Sequence, residues 1–150
     1  MADYSFDHLS REIVAGCSEA VLFSDREGLI RFWNPGAEKL FGFSREEAIG
    51  QSLDIIIPDK MRERHWDGYY RVMATGETRY ATELLTAPAL CKDGRRLSTE
   101  FSMVLVRDDK GVVQGAGAVI RDVTSRWERE KALKERLSTL ETQAVQAKSA

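Results

Sequence analysis

Two strand-like segments, a run of short helical stripes and then three consecutive strands joined by tight turns predict an α+β domain. Hairpin connections require antiparallel neighbours, so five antiparallel strands are expected, with the helices packed on one face of the sheet. A charged helical segment after Thr124 lies outside that pattern. The 150-residue chain is therefore expected to divide into a leading helical segment (1–18), one main domain (19–124) and an outgoing helix (125–150).

The segment from Ser5 to Gly16 reads as a short helix with Leu9, Ile13 and Val14 as its apolar side. Ala20–Asp25 and Leu29–Asn34 are β-rich runs around the turn Asp25-Arg26-Glu27-Gly28. Asn34-Pro35 then opens a helix, because Asn caps well and Pro fits a first turn; Ala37, Leu40 and Phe41 form its stripe and Gly42 ends it. Ser44-Arg45-Glu46-Glu47 has the spacing of a capping box and starts a second short helix that stops at Gly50. Pro58 precedes a longer amphipathic helix that runs to about Thr75-Gly76. Residues 79–90, 95–107 and 112–123 are strand-like, separated by Lys92-Asp93-Gly94-Arg95 and Asp108-Asp109-Lys110-Gly111. After Thr124 the positions Leu133, Leu137, Leu140, Ala144 and Ala147 alternate spacings of four and three, the pattern of a coiled-coil seam. That seam predicts a homodimer, with apolar residues of the leading helix joining the interface.

Bulk properties exclude several classes. The apolar fraction is ordinary for a globular chain, and no apolar run is long enough to span a bilayer. The opening MADYSFDHLS lacks the basic-then-apolar layout of a signal peptide, so a cytoplasmic protein is expected. A net charge of −2, with both signs interleaved, gives no electrostatic footprint for nucleic acid, and no membrane partner is expected. Cys17 and Cys91 are far apart and form no CxxC, so both are expected to act as small hydrophobes. Phosphate-binding, nucleophile-elbow and zinc-protease motifs are missing from the sequence, and no acid/base constellation points to an enzyme.

The stretch Arg64-His65-Trp66-Asp67-Gly68-Tyr69 carries the most chemistry. On a helix, Met61, His65, Tyr69, Val72 and Met73 share one face, while Arg62, Arg64, Asp67 and Arg71 lie mostly on the other. A histidine turned inward among apolar neighbours needs a partner, because an imidazole with unsatisfied nitrogens is costly to bury. Either a backbone carbonyl or a metal such as haem iron meets that need.

The element order, together with Trp33-Asn34-Pro35-Gly36-Ala37-Glu38-Lys39-Leu40-Phe41-Gly42-Phe43, closely resembles the PAS sensory domain. Lys92-Asp93-Gly94 before a strand, and Ile120-Arg121-Asp122-Val123-Thr124 running into a charged helix, match that family's second half. The resemblance spans roughly residues 10 to 135. Ile49-Gly50-Gln51-Ser52-Leu53 lacks the cysteine that the light-oxygen-voltage branch uses for its flavin, and neither cysteine suits a photoactive-yellow-protein chromophore.

From His65 onward the chain is similar instead to the haem-binding PAS domains of the FixL oxygen sensors, where a long-helix histidine is followed by a tyrosine and an arginine at the spacing of His65, Tyr69 and Arg71. This resemblance implies haem b with His65 as axial ligand, and Arg71 and Arg79 placed to pair with propionates. On the distal side Leu85 stands where those sensors have an arginine. Phe101 and Met103 correspond to apolar pocket positions, Met103 offers a thioether as a sixth ligand, and Tyr80 offers a hydroxyl. The implied function is a sensor of a diatomic gas (oxygen, carbon monoxide or nitric oxide) or of redox state. It would relay through the outgoing helix to a histidine kinase or another signalling domain. A haem-free PAS dimerisation module, or a sensor of another small ligand, is the alternative.

Overall fold

Period-two burial builds the sheet. The computed structural model describes residues 1–78 and 83–149. Its strands are β1 (Ala20–Asp25), β2 (Ile30–Trp33), β3 (Leu85–Leu90), β4 (Arg96–Arg107) and β5 (Val113–Asp122), in spatial order β2-β1-β5-β4-β3. All four pairings are antiparallel; hairpin connections require this of β1–β2, β3–β4 and β4–β5, while β1–β5 joins strands far apart in the chain. Ala20, Leu22, Ala116 and Ile120 face inward, so Val21, Phe23, Gly117 and Val119 fall on the opposite face. The chain is an α+β domain, as the sequence predicts.

The helices follow their caps. Helix α1 (Phe6–Gly16) starts at Ser5, whose hydroxyl accepts from His8 N–H. Helix α2 (Pro35–Phe41) starts at Asn34 and ends at Gly42 in the left-handed region. The Ser44–Glu47 capping box is formed at α3 (Arg45–Ala48). A 3-10 turn (Leu53–Ile56) leads to α4 (Asp59–Thr75), and α5 (Thr124–Ser149) ends the described chain. The core is one cluster in which Trp33, Phe41, Ile30 and Leu22 meet Tyr69 and Met73 of α4. Trp33 Nε1 donates to Phe43 O, which satisfies the one polar atom of a fully buried indole.

The structure adds detail to the sequence reading. Leu9 and Ile13 are exposed, and only Val14 of that trio is half-buried, so most of the apolar side of α1 has no intrachain cover. Within the described residues the third strand begins at Leu85, while Arg79 and Tyr80 lie outside them. The 3-10 turn left no pattern in the sequence, being held by Ser52 Oγ and by Leu53 N–H donating to Gly28 O. Cys91 is buried and Cys17 half-buried, both with free thiols, as small hydrophobes would be.

Candidate functional site

Helix α4 is fastened along one flank. The Tyr69 hydroxyl lies 2.8 Å from Ser24 Oγ and also donates to the carbonyl of Asp25, tying α4 to the end of β1. Burial raises the Tyr69 pKa above its ordinary value, opposed by the Ser24 hydrogen bond. Trp66 Nε1 donates to Asp54 Oδ1 at 2.8 Å, and the far edge of its indole sits over Gly28 in the β1–β2 turn. Arg26, from the same turn, donates to the carbonyls of Met73 and Val113. Arg107 donates to Gly76 O, so the carbonyl end of α4 is capped by two guanidinium groups.

His65 stands between Trp66 and Tyr69, with ring centroids 4.7 and 5.7 Å away. Its Nδ1 is buried and has no hydrogen-bond partner among the described residues, the one side-chain nitrogen or oxygen so left. Burial pushes the imidazole pKa below its ordinary value, with Asp54 pulling the other way. The neutral ring that results is the form that ligates metals.

The inner face of the sheet is more deeply buried at one end than at the other. Ala89, Leu97 and Thr99 are buried, whereas Leu85, Phe101, Met103 and Leu105 on that same face are only half-buried. Leu85 pairs with Phe101, and Phe101 and Met103 pack at the margin of the core that holds Tyr69 and Met73. The hydroxyl of Thr99 is already used, donating to Ala87 O at 2.6 Å. Arg71 is exposed, and among the described residues no ion pair engages its guanidinium. The structure thus brings His65, Tyr69, Leu85, Phe101 and Met103 to the helix-bearing side of the sheet and leaves Arg71 on the solvent side of α4. Sequence reasoning missed Trp66, Asp54 and Arg26, whose partners lie in a distant turn and carry no local signal.

No group of three or more His, Cys, Asp or Glu side chains suited to a metal ion occurs among the described residues. Haem iron needs only one protein ligand, so this bears on free-ion sites and not on haem. Two surface clefts, of about 510 and 380 Å³, lie elsewhere. The larger is formed by α1 against Phe32 and Pro35, far from the His65 chemistry in sequence and topology.

At the far end, α5 is welded to β4. The Asp122 carboxylate accepts from the backbone N–H and hydroxyl of Thr124, Ser98 N–H donates to Thr124 Oγ1, and Arg126 pairs with Glu100. From there α5 is exposed throughout, so Leu133, Leu137 and Leu140 have no intrachain cover. No described helix is long and apolar enough to cross a membrane.

An antiparallel five-stranded sheet with its helices on one face and a helix leaving the last strand defines a sensory-domain architecture. Residues 15–128 match the family described as PAS fold, and the chain belongs to that family. It is similar to the sensor protein FixL of Bradyrhizobium diazoefficiens, with 30% identity over 135 residues, covering 87% of this chain and 25% of that protein. It is also similar to the oxygen sensor protein DosP of Escherichia coli, with 33% identity over 84 residues, covering 56% of this chain and 10% of that protein. Among solved structures, a PAS domain from Colwellia psychrerythraea aligns with a TM-score of 0.69 at 24% identity, covering 81% of this chain and 99% of the other. The chain spans a quarter or less of the length of the curated relatives it matches.

Proposed function

We propose that this PAS domain binds haem b through His65 and acts as a cytoplasmic sensor of a diatomic gas or of redox state. The observation that carries the reading is the buried Nδ1 of His65, without a partner among the described residues, on the same helix-bearing side of the sheet as the half-buried Leu85, Phe101 and Met103. Similarity to proteins named as FixL and DosP sensors supports it. Bound haem supplies an iron centre with an exchangeable coordination position. His65 would hold the iron, Tyr69 packs against the His65 ring at a tilt, and Arg71 would meet a propionate at the solvent side; Arg79 and Tyr80, outside the described residues, are proposed as further haem contacts. Leu85, Phe101 and Met103 exclude water and offer no hydrogen-bond donor, which favours carbon monoxide, nitric oxide or redox state over oxygen. Met103 is the candidate sixth ligand.

In this reading residues 19–124 sense, 125–150 signal as a coiled-coil homodimer, and 1–18 cap the domain. Strand β4 presents Phe101 and Met103 inward and Glu100 outward to Arg126, so a change at the pocket reaches α5 within one strand. A sensor kinase is the proposed output partner, the class to which a 32%-identical relative from Escherichia coli, the histidine kinase AtoS, is assigned by name.

The test is reconstitution with haemin. The unmodified protein should give a shifted Soret band, and His65→Ala should lose it while keeping its circular dichroism. Truncation to alanine removes one imidazole from a half-open site and costs about 1–3 kcal/mol. A wild-type protein without the shift, or an unchanged spectrum in His65→Ala, refutes the haem reading. It then favours a haem-free interaction module, to which the satisfied Tyr69 and Trp66 polar atoms already point.

A further inference from the structure

Helix α1 is fastened to the domain at one end only. Asn34 Nδ2 donates to the carbonyls of Val14 and Glu19, which fixes the last turn of α1 beside α2. Asn34 is buried and its Oδ1 accepts from the Val21 and Ala37 N–H groups, so both ends of its amide are committed. Among the described residues, no hydrogen bond or ion pair joins residues 6–13 to the sheet or to α2; Ser10 Oγ donates to Asp7 O within the helix.

Asp7, Ser10, Arg11, Val14 and Ala15 are spaced three and four apart in alternation, so they share one face of α1, and that face borders the cleft of about 510 Å³. Across the cleft stand Pro35 and Phe32 of the edge strand β2, with the Phe32 residue 43% exposed. Arg11 enters from α1 and Arg45 from the first turn of α3. Arg45 spends its backbone N–H on the Glu38 carboxylate, but among the described residues neither guanidinium has a hydrogen bond or an ion pair. A cleft of this size, with apolar walls and a few charged groups, has the make-up of a small-molecule site. Two unpaired guanidinium groups against the one carboxylate of Asp7 leave it cationic.

We propose that this cleft is a ligand site for a small aromatic monocarboxylate, its ring laid on Phe32 and Pro35 and its carboxylate taken by Arg11 and Arg45. A guanidinium presents paired N–H donors that match a carboxylate, and an aromatic body gains from packing on the half-bare Phe32 ring. The bound molecule bridges α1 to β2 and α3, and so holds the turns of α1 that the Asn34 clamp leaves free. An 11-residue helix is marginal on its own, so occupancy is read out as added order in α1. The cleft shares no residue with the surroundings of His65, and the proposal is independent of haem.

Naphthoate is titrated into the full chain while the backbone amides are followed by NMR. Saturable shifts should centre on Arg11, Val14, Phe32 and Arg45, and at about ten times Kd amide exchange in residues 6–13 should slow about tenfold. Arg11→Ala and Arg45→Ala should each weaken binding about three- to tenfold, as expected of charge-assisted bonds open to solvent. Asp7→Asn should tighten it about twofold, because it removes the opposing charge. Naphthalenemethanol has the same rings without the charge and should bind about tenfold or more weakly. His65→Ala should leave the affinity unchanged. Shifts centred on His65 and Phe101 instead would put the probe on the inner face of the sheet and overturn the proposal. Equal binding of the uncharged alcohol overturns it, as does an unaltered affinity in both arginine variants or no saturation in the millimolar range. So do cleft shifts that grow with protein concentration and that naphthoate does not displace, which would give the cleft to a second copy of the chain.

Discussion

Replacing Gly28 with alanine tests how α4 is seated next to His65. Gly28 has φ +80°, and a Cβ there would lie 2.1 and 2.2 Å from two carbon atoms of the Trp66 ring. Two costs follow. The left-handed backbone costs an L-residue about 1–2 kcal/mol, and forcing a methyl into a packed ring costs about 1–3 kcal/mol more. Gly50 separates them, because it has φ +86° and nothing within 4 Å of its Cβ position. Gly50→Ala should therefore lose only the conformational part, about 1–2 kcal/mol. Gly28→Ala should lose about 2–5 kcal/mol, which for a domain of this size lowers the melting temperature by about 2–4 °C per kcal/mol. Urea unfolding of both variants measures the difference directly, provided the m-value is unchanged. The Trp66 indole N–H resonance should also move in Gly28→Ala, since the ring must leave Asp54 Oδ1 or tilt about it. Equal losses in the two variants, with the Trp66 signal unmoved, would refute the seating of Trp66 in the β1–β2 turn.

Asn34→Ala should cost about 2–4 kcal/mol, because it removes an N-cap and strands the Val21 N–H and the Val14 and Glu19 carbonyls. Amide exchange in α1 should accelerate, and unchanged exchange there would contradict the clamp. Glu47 is held down to about 2 by its hydrogen bond from Lys92, and next by the Ser44 N–H. A depressed carboxyl stabilises the fold above its ordinary 4.5, and that support is lost as pH falls from there through about 2. Lys92→Met should flatten this loss, and a Glu47 carboxyl titrating near 4.5 in the wild-type protein would disprove the pairing.

Local chemistry made much of the fold legible. The Asn34-Pro35 start, the Ser44–Glu47 box and the Gly94 and Gly111 turns are decided by neighbours within four residues, so pattern alone finds them. His65 was legible as an inward-facing residue for the same reason, since helical period fixes its face. Its surroundings were not. That Tyr69 spends its hydroxyl on Ser24 and Asp25, and that Trp66 needs Gly28, depends on groups about 40 residues apart meeting across the fold.

The sequence by itself determined the strand and helix order, the antiparallel sheet and the face of α4 on which His65 lies, because alternation and capping act over a turn or two of chain. Only the tertiary structure decided which apolar residues stay uncovered. Leu9 and Ile13 form an apolar side on a helical wheel, and Asn34 fastens α1 with them outward; Val104 and Val119 alternate onto a face that no described helix covers. Burial depends on what packs opposite, and periodicity specifies a residue's direction without specifying its partner.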